Sequence, residues 1–468
     1  MKINIVEDFN GVTTIPNGFD FTPFFNEFDK DFRPVDRETL EYFKNKNYRI
    51  ISGVSNAYQD TYTISNYTFE LTDDIISKDL NDIFIYILKV RELFEFSFNF
   101  NHPYNDNVSL VDTISPHIRE FIKHPNFYIY IEYTWEGQFL FQYFHKIYFD
   151  LQYNKIPANK VIFCTNTQNI NELHYKFLLD FPKEKTVKFT HHNQCLLAKR
   201  NDYINNFGNN TFVNESILNK IEKREKKALM LNRRLRIHRL SILSLLLHDK
   251  LYEETLSSFD IDLMFTNYYE LDNTFKKLNE NKELVLSTDI ENKIKVGFDK
   301  LKIIKKSTVD FEDLDRVIGL GYESKEIYEK TYFSIVTETL FVEQEKFVSE
   351  KTYKPILHYH PFVIVGSPNT LTYLKSYGFK TFDKWWDESY DNILDNGKRL
   401  EAVYKIIKEL LLKTDNEWVS MLNEMKSVLI HNKEILLSFS GTKLSEILFE
   451  NTYKIIKNNN LEKDVRLF

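Results

Sequence analysis

Pro361-Phe362-Val363-Ile364-Val365 is an apolar run with no alternation. A strand with one wet face alternates; a run of this kind is expected of a parallel strand covered on both faces. Gly366-Ser367-Pro368 then turns the chain, and Asn369 or Thr370 stands where it can cap the following helix. Upstream, Ser349, Glu350, Lys351 and Lys354 open a short helical pattern. Helix, buried strand, turn and helix in that order demand an α/β sheet, which constrains the fold more than any other feature of the chain. In such sheets ligands sit outside the carboxyl ends of strands, against helix N-termini.

The same alternation recurs elsewhere. In the N-terminal half, 127–133, 160–165 and 187–189 read as strands. Residues 138–151 and 169–181 read as helices, the second capped by Asn169 with Glu172 three residues on. In the C-terminal half, strands are expected at 228–231, near 283–286, at 332–337 and at 361–365. Helices are expected at 239–249, 398–413, 415–437 and 443–457. Residues 1–120 mix both patterns and yield no topology. The charged stretch Asn214 to Lys227 is a connector. The resulting division is an N-terminal α/β domain over 1–215, a connector over 216–227, a Rossmann-like domain over 228–435 and a helical tail over 436–468.

The chain has 468 residues and 43% hydrophobic residues, enough for two cores. With only 12 glycines it carries no Gly-rich phosphate loop. Any phosphate site must rely on side-chain cations and helix N-termini. The net charge of −7 argues against broad non-specific nucleic-acid binding. Cys164 and Cys195 offer neither a disulfide framework nor a metal spacing. No run approaches a membrane span of about 18 apolar residues, and the N-terminus has no signal-peptide core. A soluble, cytoplasmic protein is expected (host cytoplasm, if viral).

A second motif follows strand 228–231. Asn232-Arg233-Arg234-Leu235-Arg236-Ile237-His238-Arg239 puts four arginines and a histidine in a strand-to-helix turn. Cations at a helix start oppose the macrodipole, so an anionic ligand is the economical explanation. A solvated basic turn paired to acids elsewhere is the alternative. Asn232 shapes the turn; His238 is a hydrogen-bond donor or a cap. One sheet would bring both motifs to one rim, where Arg233, Arg236, Arg239 and Lys351 flank a diphosphate.

Ser349-Glu350-Lys351 before an apolar, aromatic helix, preceded by strand 332–337 ending in Glu338, resembles a motif of fucosyltransferase-like enzymes (glycosyltransferase family 10 and relatives). The longer run KTYKPI…HPFVIVG…LTYLKSYGFKTFDKWWDESYD also resembles glycosyltransferase-like proteins of viral and bacterial genomes. The resemblance covers roughly 225–395. It implies two Rossmann-like domains facing a cleft (the GT-B arrangement), with C-terminal helices packing back across it. It also implies a nucleotide-diphosphate sugar as donor, GDP- or UDP-linked, and no essential cofactor or metal. Glu350 would contact ribose and Lys351 phosphate, with Ser349, Lys354 and Glu338 beside them. Lys354-Pro355 departs from the pattern, since a proline there kinks or restarts the helix.

Sugar transfer with inversion needs a base for the acceptor hydroxyl. Glu136, just past strand 127–133, is the candidate; Glu132 is a weaker one. His191-His192 point to opposite faces of an extended segment and do not share a metal. His358 and His360 bracket Tyr359 and help close a helix. Asp260-Ile261-Asp262 and Asp313-Leu314-Asp315 match the weak D-x-D metal pattern. Trp385-Trp386 either stack on a ligand or plug a gap beneath a helix. The acceptor is a glycan, a protein or a modified nucleobase. Two other classes remain open: an enzyme glycosylating modified DNA bases, and a non-catalytic interaction protein on a degenerate GT-B fold.

Overall fold

The computed structural model describes residues 3–6, 83–89, 122–123, 125–133, 142–183, 185–206, 212–232, 236–259, 280, 283–301, 303–304, 325–342, 345–439 and 454–456. It divides into two compact units, Met1–Gln194 with Gly441–Phe468, and Cys195–Ser440. The segment from 195 to 215 thus groups with the second unit. Glu136, Arg233, Arg234, both D-x-D motifs and most of 443–457 lie outside the described residues.

The first unit carries a parallel sheet in sequential order: β1 (Ile3–Val6), β2 (Ile83–Lys89), β3 (Phe127–Tyr133), β4 (Val161–Thr165) and β5 (Lys188–His191). Helix α1 (Gln142–Tyr153) joins β3 to β4, and α2 (Ile170–Asp180) joins β4 to β5. Phe127, Ile129, Ile131 and Tyr133 form one apolar cluster with Val161, Phe163, Phe189, Phe144, Ile147, Leu173 and Phe177. Both helices therefore cover one sheet face, as right-handed crossovers between sequential strands require. Tyr128, Tyr130, Ile162 and Cys164, on the opposite face, are buried too. Asn169 does not cap α2 as expected: its side chain makes no cap bond. Glu172 instead pairs with Lys176 one turn on, at 2.9 Å.

In the second unit, α3 (Gln194–Asn206), begun at the unit boundary, precedes β6 (Lys226–Leu231), α4 (Ile237–His248), β7 (Thr255–Ser258), α5 (Thr288–Leu301), α6 (Lys325–Glu329) and β8 (Thr331–Thr337). Then come α7 (Glu350–Leu357), β9 (Phe362–Val365), α8 (Thr370–Ser376), α9 (Asn396–Leu411) and α10 (Asp415–Ser438). The sheet is parallel, in the order β7-β6-β8-β9. The chain moves outward from β6 to β7, then crosses back to β8. In open α/β sheets such a reversal marks the crevice where ligands bind, here outside the carboxyl ends of β6 and β8. The architecture is a mixed α/β, Rossmann-like one.

Burial explains the elements. Every residue of β8 and β9 is buried, worth about 1.5–3 kcal/mol for each large apolar side chain. From His238 to Leu247 α4 is buried on every side. It lies so close to α5 that a Cβ on Gly297 would come 1.8 Å from the Ser244 carbonyl oxygen. Helix α10 starts in a capping box, Thr414 with Glu417, and buries Trp418 flat against Tyr332 and Phe333 of β8. Among the described residues, no helix is long and apolar enough to cross a membrane.

Two more expectations fail, and one strand was missed. Residues 283–286 form no strand; they lead into α5, where Ser287 O accepts from Glu291 N. Strand β7 was unforeseen, because TLSS carries one apolar residue. Its hydroxyls are satisfied internally: Thr255 Oγ1 bonds Tyr252 O and Ser257 Oγ, both at 2.7 Å. Pro355 does not restart α7, which runs through it as one eight-residue helix. Near the end of so short a helix, the missing N–H costs one bond.

Candidate functional site

Asn232 leaves β6 at the crevice and is 3% exposed. Its backbone N–H donates to Ser258 O and Oγ of β7, at 3.0 and 3.1 Å. Its Oδ1 accepts from Thr337 Oγ1 of β8 at 2.5 Å. The residue thus spans three strand ends. Among the described residues its buried Nδ2 has no hydrogen-bond partner, and an unmet buried donor costs about 1–3 kcal/mol.

Arg236 sits at the N-cap of α4 in an extended conformation. His238 and Arg239, in the first turn, are both buried. The Nε2–H of His238 donates to Glu338 O at 2.8 Å, and its ring stacks on Phe341. Burial and then the Arg239 charge hold its pKa well below the ordinary value, so the imidazole is neutral. Arg239 donates to Thr337 O and Glu338 O at 3.2 and 3.0 Å. This guanidinium ties α4 to the end of β8, a structural task that a simple phosphate clamp would not have.

Glu338 is completely buried. Its carboxylate accepts from Ser349 N (3.1 and 3.2 Å), Ser349 Oγ (2.6 Å), Thr352 Oγ1 (2.5 Å) and Thr339 N (3.1 Å). The acid that the sequence placed beside the nucleotide is turned inward, and it fastens the start of α7 to the end of β8. Ser349 Oγ also accepts from Lys351 N at 3.3 Å, capping the helix. Gly366 is packed against this acid; a Cβ there would meet Glu338 Cβ at 3.2 Å.

Glu350 and Lys351 remain partly exposed, at 26% and 27%. Lys351 Nζ reaches Glu350 Oε1 at 2.7 Å, and Thr339 and Ser349 hydroxyls at 3.4 Å. It stands at the carboxyl end of β8, with Arg239 holding the preceding carbonyls. Burial raises the Glu350 carboxyl, but Lys351, Lys354 and Lys199 outweigh it and bring it to about 2. Lys351 Nζ and the N-terminus of α7 bring positive charge to the rim, beside the Glu350 and Glu338 carboxylates.

Sequence reasoning missed Lys199, Thr352 and Arg399. Arg399, 1% exposed, donates to Gly366 O, Ile393 O and Phe341 O at 3.1, 2.8 and 2.7 Å. It thereby fixes the turns after β8 and β9. Nothing in an amphipathic helix pattern marks such an arginine. The cap of α8 was also misplaced. Asn369 takes left-handed φ and makes no side-chain cap; Asp391 does so from afar, accepting from Leu371 N and Thr372 N at 2.9 and 3.1 Å.

The other candidates have tasks of their own. His358 stacks on Tyr328 and accepts from Val213 N; His360 donates to Thr331 O and accepts from the Ser334 hydroxyl. Both are buried neutral rings that hold loops. Trp386 is buried against Phe382, while Trp385 donates to Glu424. His191, at the end of β5, is pushed down to about 3 by burial and then by His192. Among the described residues no three His, Cys, Asp or Glu side chains cluster as metal ligands.

Chemically, the crevice offers cations, an amide donor and a helix N-terminus, which suits an anionic ligand. No protein-family model matches the chain, and no curated protein matches it.

Proposed function

We propose that this protein transfers a sugar from a nucleotide-diphosphate sugar to an acceptor hydroxyl, with inversion and without an essential metal. The observation that carries the reading is the reversal of strand order between β6 and β8. Asn232, Arg239 and Lys351 converge there from three elements. The diphosphate accepts from Asn232 Nδ2 and from the cations Arg236, Lys351 and Lys354. Glu350, held ionised beside Lys351, accepts from ribose hydroxyls. As the glycosidic bond breaks, charge grows on the departing diphosphate, and fixed cations stabilise that change more than they stabilise the bound donor. Arg233 and the base Glu136 keep the roles the sequence suggests. The GT-B arrangement, a glycan, protein or nucleobase acceptor and a cytoplasmic setting belong to the same proposal.

Thermal melting with GDP, UDP, ADP and CMP, with and without magnesium, tests it. Ligand at 100 times its Kd adds about 2.7 kcal/mol. One nucleoside diphosphate is expected to raise the melting point, and Lys351→Ala to abolish the rise while melting normally unliganded. A rise that survives Lys351→Ala removes that residue's phosphate role. No rise with any nucleotide removes the reading.

A further inference from the structure

Strand register brings Asn232 and Thr337 together. In the parallel β6–β8 pair, Ala228 stands opposite Phe333 and Leu229 opposite Ser334. Continued along both strands, that register puts Asn232, just past β6, level with Thr337, the last residue of β8. Both are buried. Thr337 is held from two sides. Its carbonyl accepts from Arg239 of α4, and the carboxylate of the next residue, Glu338, accepts from Ser349 and Thr352 at the start of α7. Being β-branched, its side chain has few rotamers to choose from.

Thr337 Oγ1 donates to Asn232 Oδ1 at 2.5 Å and makes no other hydrogen bond among the described residues. An amide can sit either way round. Reversed, its NH2 would donate to Thr337 Oγ1, and both the hydroxyl hydrogen and the amide oxygen would lack partners. As it stands only the NH2 lacks one, among the described residues. Unmet buried groups are costly, so the hydroxyl selects the orientation. Helix α4, twelve residues long, starts close by without a side-chain cap, and its first-turn Arg239 is bonded to Thr337 O. A buried NH2 and the N–H groups of a helix start can only donate.

We propose that Thr337 is a positioning residue: its hydroxyl, donated to Asn232 Oδ1, turns the Asn232 amide so that it offers NH2 and not oxygen to a phosphoryl group. This role rests on nucleotide-diphosphate binding at the β6–β8 crevice, and it sets which oxygen chemistry that crevice selects. Phosphoryl oxygens only accept, so a neutral, donating amide suits them without adding charge. Without the hydroxyl, the amide oxygen would turn toward the N–H groups at the start of α4, and the site would meet a phosphate with an acceptor. Thr337 touches no ligand itself; it acts through Asn232.

Isothermal titration of the full-length protein with inorganic pyrophosphate, GDP and UDP tests this. Asn232→Ala should weaken whichever of these binds by about tenfold to a hundredfold, as expected for one hydrogen bond to a charged group. Thr337→Val removes the hydroxyl at nearly constant shape and should weaken binding by about threefold to thirtyfold, and Thr337→Ser should restore it. A double-mutant cycle separates positioning from packing. With Asn232→Ala already present, Thr337→Val should cost no further affinity, whereas a purely structural role would leave its effect intact. If Thr337→Val does not fold, Asn232→Asp decides. It keeps an oxygen for Thr337 and exchanges the NH2 for an acceptor, so pyrophosphate should bind at least about tenfold more weakly, and unchanged affinity overturns the proposal. Wild-type binding that Thr337→Val leaves unaltered, or losses that simply add in the cycle, overturn the positioning role alone. Wild type that binds none of the three probes overturns it together with the nucleotide reading.

Discussion

Replacing Glu338 by Gln separates an inward-facing acid from a ligand-binding one. The native carboxylate takes bonds from four donors: two backbone N–H groups and two hydroxyls. Hydrogen bonds to a buried charge contribute about 1.5–3 kcal/mol each, against about 1 kcal/mol for neutral ones. Glutamine keeps the shape and one accepting oxygen. It loses the charge and turns an –NH2 toward donors, so at least one hydroxyl must rotate to accept. A loss of about 2–3 kcal/mol follows, and about 4–6 kcal/mol for Glu338→Ala, which leaves every donor unmet. For a unit of this size 1 kcal/mol moves the melting point by about 2–4 °C, so the Gln variant should melt about 4–12 °C lower without any ligand. Scanning calorimetry measures this directly. Pairing Glu338→Gln with Thr352→Val in a double-mutant cycle should give a coupling of about 0.5–3 kcal/mol. If unliganded Glu338→Gln melts with the wild type and only nucleotide binding suffers, the acid faces ligand after all and the argument from its hydrogen bonds is wrong.

Other consequences can be measured alongside. Gly297→Ala drives a methyl into the Ser244 carbonyl at 1.8 Å; it should cost about 3 kcal/mol or more by forcing α4 and α5 apart, and a melting point near wild type would contradict that packing. Asp391→Ala strips the N-terminal cap of α8 and should cost about 0.5–2 kcal/mol in urea unfolding, with no change in nucleotide affinity. Glu350, lowered from 4.5 to about 2, contributes stability that is complete above pH 4.5 and lost as pH falls toward 2. Unfolding curves for Glu350→Gln should therefore converge on wild type as pH drops from 5 to 2, and a constant gap would show that the carboxylate is not held ionised by its lysines.

Much of the sheet framework was legible because its strands are buried on both faces. Phe362–Val365 announces itself by unbroken hydropathy, Thr331–Thr337 by its apolar and β-branched content, and α9 and α10 by amphipathic period. Strand β7 was invisible for the opposite reason: its polar residues are buried with their hydroxyls bonded locally or to Asn232. Leu284 and Val285 suggested a strand by composition, yet Val285 is 45% exposed and pairs with nothing in the sheet order. At the rim, residue types were readable but their directions were not. Glu338 and Arg239 look like ligand groups in a linear string. Only folding reveals that Ser349 and Thr352, 11 and 14 residues on, claim the acid, and that β8 carbonyls claim the arginine. Asp391 caps a helix about 20 residues upstream, a pairing no local motif encodes.

A chain with 12 glycines among 468 residues has few to place at helix ends. Gly378 ends α8 in the left-handed region, but Lys155, Lys250 and Tyr359 take the same conformation past α1, α4 and α7. In each case the next residue's N–H closes back onto the helix: Ile156 to Leu151 O, Leu251 to Leu246 O and His360 to Pro355 O. At the two lysines, glycine should relax the backbone by a few tenths to about 1 kcal/mol, a conservative route to a sturdier protein. At Tyr359 the same change would remove the ring whose centre lies 4.1 Å from the Lys433 ammonium. Stabilising replacements are thus open at two helix ends and closed at the third, where ease of the main chain has been given up to keep a ring over a cation.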